Sequence, residues 1–192
     1  MRIFVALDID DAIRRRIARF LDGVREFAPD ARWVRSESLH VTLKFIGERS
    51  EADVDKIKGA LAEISAEAFE IAFRGHGFFP SMRSPRVFWI GSEGGAKLTA
   101  LAAKVDETLA RLDIPKEEHA FSAHVTLARG GGGRSGSPRG REKLGFQRLQ
   151  EKLTALPVPE FGTMTAREFF LYQSQLGRGG SKYTKLAKFA LH

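Results

Sequence analysis

The chain has 192 residues, 43% of them hydrophobic, so it can bury the core of one large domain or of two small lobes. It contains no cysteine, which excludes disulfide bonds and thiolate metal sites. The whole formal charge of +7 arises in residues 130–192, which carry 11 Lys or Arg and 4 Asp or Glu. Such a one-sided excess favours a polyanionic partner, or alternatively serves only solubility.

The N-terminal apolar run, RIFVALDI, predicts a strand. It is too short for a signal peptide or a membrane span and is followed by acidic residues, so we expect a cytoplasmic protein. Asp10 or Asp11 can cap the next helix, which ends before Pro29. The apolar stripe of that helix consists of Ile13, Ile17, Phe20, Leu21 and Val24.

Strand and helix patterns alternate along the rest of the chain. HVTLKFIG predicts a strand, and a helix with Val54, Ile57, Leu61 and Ile64 on one face follows it. FEIAFRG and RVFWIG predict strands, and a helix over Leu98 to Leu112 precedes the strand AHVTLAR. REFFLYQS and KYTKLAKFAL predict two closing strands.

Residues 130–141, GGGGRSGSPRGR, form the one low-complexity segment. The Gly and Ser content predicts a mobile surface loop, with a basic flap over a nucleic-acid backbone as the alternative. The segment lacks the Gly-Lys-Ser/Thr spacing of a phosphate-binding loop.

The tetrapeptide HVTL occurs twice, beginning at His40 and at His124, 84 residues apart. The same offset aligns further strand and helix positions, namely Arg2 with Arg86, Phe4 with Phe88, Ile17 with Leu101 and Leu21 with Val105. A strand, a helix and a second strand in one register predict a duplicated unit, with the two histidines at equivalent positions of two similar lobes.

Each HVTL strand is expected to present an imidazole and a hydroxyl on one face, because side chains alternate along a strand. That face would carry His40, Thr42 and Lys44 in the first strand, and His124 and Thr126 in the second. Two imidazoles can act as acid and base in one reaction at neutral pH. The flanking hydroxyls, with a nearby cation such as Lys44, are expected to bind phosphate oxygens of the substrate. The pattern therefore favours displacement at phosphorus.

Two other interpretations of these histidines are open. A single His beside a Thr is commonly just a hydrogen-bonded polar face, although two such pairs related by duplication are harder to explain in that way. A zinc site would need three or four ligands, whereas each His-x-Thr motif supplies one, and neither His76 nor His119 has a helpful spacing.

On these motifs the chain resembles the two-histidine (2H) phosphoesterases, most closely the RNA 2′,3′-cyclic phosphodiesterases of the 2′-5′ RNA ligase-like family. The resemblance extends over nearly the whole chain through RIFVALDI, LHVTLKFIGE, FFPSMRSPRVFW, FSAHVTLARG and LYQSQLGRGGSKYTKLAKFAL. It implies an α+β fold with two pseudo-symmetric lobes, each an antiparallel sheet with helices packed outside, around a central cleft.

The resemblance also implies hydrolysis of an RNA 2′,3′-cyclic phosphate end to a 2′-phosphate, and as a reverse reaction the 2′–5′ joining of tRNA fragments. His40 would be the proton donor and His124 the proton acceptor, with Thr42, Thr126 and Arg129 binding the phosphate. No metal, cofactor or membrane is implied, and we expect a monomer.

Two positions bear on this assignment. Ala123 stands where the family commonly has proline, and strict alternation would turn Arg129 away from His124 unless the strand bends before the glycine run. Trp33 and Phe79 are candidates for base stacking or for core packing.

The competing functions are a non-catalytic module that binds an RNA end and a phosphodiesterase for a small cyclic nucleotide.

Overall fold

The computed structural model describes residues 1–130 and 139–192, with side chains described for 1–130 and 146–192. The strands are β1 (Arg2–Asp8), β2 (Arg32–Trp33), β3 (His40–Glu48), β4 (Phe69–Phe79), β5 (Val87–Glu93), β6 (His124–Arg129), β7 (Glu160–Ala166), β8 (Glu168–Gly177) and β9 (Gly180–Ala190). The helices are α1 (Asp11–Val24), α2 (Glu51–Ala62), α3 (Gly95–Ala110) and α4 (Arg139–Thr154).

The strands form two antiparallel sheets, which confirms the predicted α+β class. One sheet has the order β3-β1-β8-β9 and the other the order β2-β6-β5-β4-β7. Strands β3 and β6, which carry the two HVTL motifs, contact each other and so connect the two sheets.

The apolar stripes of the helices cover one face of each sheet. The buried residues of α1 are Ile13, Ile17, Leu21 and Val24, and those of α3 include Leu98, Leu101, Val105 and Leu109, as their spacing predicts. Helix α1 packs on β7, whereas α3 packs on β3 and β4. The opposite face of the first sheet carries a small separate cluster of Phe4, Ala6, Phe170 and Tyr172.

The two β-α-β units are paired alike, but their offset is not uniform. Lys44 pairs with Val5, and Ala128 pairs with Phe88. Lys44 and Ala128 are 84 residues apart, whereas Val5 and Phe88 are 83 apart. The predicted equivalence of Phe4 and Phe88 is therefore wrong by one residue, and a one-residue shift in a strand moves a side chain to the other face.

Three elements were not predicted from the sequence. They are β2, which is only two residues long, β7, which follows the proline-containing segment Leu156 to Pro159, and α4. The predicted loop at 130–141 lies mostly outside the described residues, and its last three positions already belong to α4. Helix α4 has the buried residues Phe146, Leu149 and Leu153 at helical spacing.

Candidate active site

A bulge in β6 turns Arg129 onto the same face as His124 and Thr126. The register with β5 shifts between Phe88 and Trp89, so that Leu127 is the extra residue. Leu127 and Ala128 are both fully buried as neighbours, and Arg129 is exposed. The strand therefore has the bend that was the condition for Arg129 to face the same way as His124. Three polar side chains of β6 share one face.

The equivalent bulge in β3 has the opposite consequence for Lys44. Leu43 and Lys44 are both buried, because the register with β1 shifts there as well. The Lys44 ammonium donates to Asp106 at 2.7 Å and to the carbonyl of Pro115 at 2.6 Å, next to α3. The prediction that Lys44 shares the face of His40 is wrong, because the extra residue reverses the alternation.

The ring of His40 is held by hydrogen bonds at both nitrogens. Nδ1 lies 2.8 Å from the carbonyl oxygen of Ser38, and a carbonyl only accepts, so Nδ1 carries a proton. Nε2 lies 3.0 Å from the hydroxyl of Thr42. In the neutral ring Nε2 is the acceptor and Thr42 donates, so Nε2 is the atom that can exchange a proton.

His124 is oriented in the same way. Its Nδ1 donates to the carbonyl of Ser122 at 2.8 Å, again two residues earlier in the chain. The same logic makes Nε2 the basic nitrogen of this ring. Two histidines from different sheets thus have matched tautomers, set by matched backbone carbonyls.

Aromatic residues surround His40, and none of them was predicted to lie beside it. Its ring centroid lies 4.9 Å from that of Phe4, 5.2 Å from Tyr183 and 6.4 Å from Tyr172. These residues come from β1, β9 and β8, so three strands of the sheet converge on one imidazole. The signal in the sequence was weak, because aromatic residues in strands are ordinarily core residues.

His124 has fewer aromatic neighbours than His40. Of the two candidates for base stacking, Phe79 and Trp33, only Phe79 is among them. The ring of His124 lies 5.0 Å from Phe79, edge to face, and 6.3 Å from Trp89. Phe79 therefore lies beside the histidine. Trp33 instead packs against the buried Phe88 at 6.0 Å and donates its indole N–H to the backbone of Ala28, which is the core role.

Asp8 lies opposite His40 in the pairing of β1 and β3 and forms an ion cluster there. Arg14 and Lys185 both donate to its carboxylate. Burial alone would raise the pKa of Asp8, but the hydrogen bonds from Lys185 and the Ile9 backbone and the nearby positive charges hold that pKa below its usual value. The cluster places one screened negative charge next to the imidazole.

Both imidazoles have lowered pKa values. Burial lowers the pKa of His40 to about 4, against the hydrogen bond to the Ser38 carbonyl, which raises it. The charges of His124 and Arg129 lower this pKa further, and that of Asp8 opposes them. Burial is also the main cause of the lowered pKa of His124, and Arg129 adds to it. Both rings are therefore mainly neutral at pH 7 without a ligand, and a bound anion would raise both pKa values.

His76 and His119 belong to neither HVTL strand. His76 lies in β4, half-buried, with its ring 6.2 Å from Phe88, and His119 is exposed.

Within residues 1–130 and 139–192, no helix combines the length and the apolar character needed to cross a bilayer.

Comparison with known proteins identifies the family of the chain. A family model described as LigT like phosphoesterase matches residues 7–89 and again residues 90–183. The RNA 2′,3′-cyclic phosphodiesterase of Archaeoglobus fulgidus is 35% identical over 189 residues, covering 98% of this chain and 99% of that protein. The enzyme of the same name from Methanothermobacter thermautotrophicus is 31% identical over 193 residues, covering 100% and 99%.

Solved structures agree with the sequence relatives. The crystal structure of E. coli LigT complexed with 3′-AMP has a TM-score of 0.77 at 27% identity, covering 99% of this chain and 97% of that one. The structure of TT0787 from Thermus thermophilus has a TM-score of 0.76 at 29% identity, covering 100% and 98%. The chain therefore belongs to the LigT-like phosphoesterase family.

Proposed function

We propose that the protein hydrolyses the 2′,3′-cyclic phosphate at an RNA end to a 2′-phosphate, with His40 as proton donor and His124 as proton acceptor. The observation that carries this proposal is the matched presentation of the two rings. Each Nδ1–H is held by a backbone carbonyl, which leaves each Nε2 for proton transfer. The names of the relatives support the choice of substrate.

In the proposed reaction water attacks phosphorus opposite the 3′-oxygen. Nε2 of His124 takes a proton from the water as the new P–O bond forms. The bond from phosphorus to the 3′-oxygen breaks, and Nε2–H of His40 protonates that oxygen, which leaves a 2′-phosphate and a 3′-hydroxyl. In 2′–5′ ligation a 5′-hydroxyl would take the place of water. His124 would take its proton, and His40 would again protonate the departing 3′-oxygen.

Thr42, Thr126 and Arg129 are the proposed phosphate ligands. They lie on the same faces of β3 and β6 as the two histidines, as the burial pattern and the bulges require. Hydroxyl and guanidinium donors at that place stabilise charge that develops on the non-bridging oxygens. Lys44 is left out of this set, because its ammonium is bound to Asp106 on the other side of the sheet.

The first test is product identification with a metal chelator. Wild-type protein in EDTA should convert an oligonucleotide with a 2′,3′-cyclic phosphate end into the 2′-phosphate, because two imidazoles supply both proton transfers. Chromatography against 2′- and 3′-phosphate standards identifies the product. Retained binding without turnover would favour a non-catalytic module, and a 3′-phosphate product would contradict the assigned leaving group.

The pH dependence of kcat/KM should be bell-shaped with its optimum below pH 6.5. One ring must be protonated and the other neutral, and both pKa values of the free protein are lowered by burial, that of His40 to about 4. The two pKa values that define the limbs of the profile should therefore both be lower than the ordinary pKa of histidine. The profile of kcat should lie at higher pH, since the bound anion raises both pKa values.

Arg129→Gln is the matched variant for this profile. Removing a positive charge that lowers both pKa values should move both limbs of kcat/KM to higher pH, in addition to slowing the reaction. Rates measured from about pH 4 to about pH 9 check this expectation. A rate independent of pH over that range would contradict the two-histidine mechanism.

A further inference from the structure

A short segment connects the two histidine strands. This bridging segment, residues 32–39, begins in β2 beside β6 and ends at β3. Near its end the carbonyl of Ser38 accepts the Nδ1–H of His40. Near its start the backbone N–H of Val34 donates to the carbonyl of Leu127 at 2.8 Å. The segment is therefore fixed at both ends to the strands that carry the site.

Arg32 lies next to Arg129 on the same face of the sheet. The two are direct partners in the antiparallel pairing of β2 and β6, and directly opposite residues point the same way. Trp33, the next residue, turns inward onto Phe88. This packing fixes the alternation, so Arg32 is exposed on the face that carries His124 and Arg129.

Two arginines placed directly opposite each other repel, and such pairs destabilise a sheet. An anion that contacts both guanidinium groups would remove that cost. Arg129 is the proposed ligand of the terminal phosphate, so a second phosphate of the same chain is the matching partner for Arg32.

Arg35 extends the positive charge from the bridging segment to the β8–β9 turn. Its guanidinium lies against Gly179, at a place that a β-carbon on that glycine would occupy. Arg178 is the adjacent residue of the turn and is exposed, as is Arg35. The same hairpin carries Tyr183, whose ring contacts His40, so the turn is the outer end of a strand pair that reaches the site.

We propose that Arg32 and Arg35 bind backbone phosphates of the RNA upstream of its cyclic end, and so select an oligonucleotide over a small cyclic nucleotide. The proposal rests on the proposed function and adds the residues that would hold the RNA upstream of its cyclic end. Guanidinium groups bind phosphate oxygens in a bidentate fashion without reading the base. A mononucleotide has no upstream phosphate and would gain nothing from these residues.

The experiment compares two substrates and two readouts. Adenosine 2′,3′-cyclic phosphate and a short oligonucleotide with the same end are assayed with wild type, Arg32→Ala and Arg35→Ala. Binding of a fluorescent oligonucleotide with a 2′-phosphate end is measured by anisotropy at several salt concentrations. Arg111→Ala is the matched control, since this exposed arginine lines a groove with Arg49 and Lys56 at α2 and α3.

Arg32→Ala should lower kcat/KM for the oligonucleotide about tenfold and make the slope of log affinity against log salt shallower by about 1. The mononucleotide rate should change less than about twofold, and Arg111→Ala should resemble wild type on both substrates. Arg35→Ala should act in the same direction as Arg32→Ala. Unfolding temperatures of all variants are compared to separate binding from folding.

The outcomes distinguish this inference from the proposed function. Equal losses on both substrates, or an unchanged salt slope in Arg32→Ala, would overturn the assignment of Arg32 even if the wild type hydrolyses cyclic phosphates. Salt-dependent binding that needs Arg32, in a protein that turns over neither substrate, would support the RNA site and overturn the hydrolytic function.

Discussion

His40→Ala and His124→Ala should each lower turnover of a cyclic phosphate by about 10³-fold or more, because general acid–base catalysis contributes on the order of 10² to 10⁴ for each proton transfer. Both rings come from strands whose opposite faces are packed in the core, so the backbone that presents them should persist. Initial rates with the cyclic-ended oligonucleotide, together with thermal unfolding, measure both properties.

His119→Ala is the control for these variants. His119 is exposed, and it lies on neither histidine strand. Its replacement should leave turnover within about twofold of wild type, as expected for a surface substitution. Near-normal turnover in either His40→Ala or His124→Ala, with the fold intact, would rule out a paired acid and base. The double variant should be little worse than either single one, because groups that act as a unit are not additive.

Asp106→Ala should destabilise the fold by about 3 kcal/mol, because removing one partner of a buried ion pair strands the other charge. The Lys44 side chain is only 2% exposed, and Asp106 is its partner at 2.7 Å. Glu117, 3.5 Å from the ammonium and largely exposed, compensates only in part. Urea unfolding followed by circular dichroism gives the change in the free energy of unfolding.

Lys44→Met is the matched variant and should cost much less stability. Methionine keeps the apolar stem in the core, and the Asp106 carboxylate left behind is 20% exposed and still accepts from the backbone N–H of Glu117. Turnover should stay close to wild type, since the ammonium points away from the histidines. Loss of turnover at unchanged stability would instead support a role of Lys44 in binding the phosphate.

The order of the elements and the polar face of each HVTL strand could be predicted because they depend on local periodicity. Val41 and Val125 are fully buried, while His40 and His124 are presented on the other face, as alternation requires over two or three residues. The alternation fails one step later. A bulge depends on the register with the neighbouring strand, which local sequence does not specify.

The residues that surround His40 could not be predicted for a different reason. Phe4, Tyr172 and Tyr183 are far apart in the sequence, and they meet only because β1, β8 and β9 are adjacent in one sheet. Arg32 meets Arg129 through a strand of two residues, which is too short to leave a periodic signal.

By itself the sequence determined the α+β class, the two His-x-Thr pairs and the resemblance to a phosphoesterase family, since motif and periodicity are properties of consecutive residues. The tertiary structure alone decided that Arg129 turns toward His124 and that Lys44 turns toward Asp106. It also decided that burial lowers the pKa of His40. These outcomes depend on strand register and on contacts between distant segments, which form only when the chain packs.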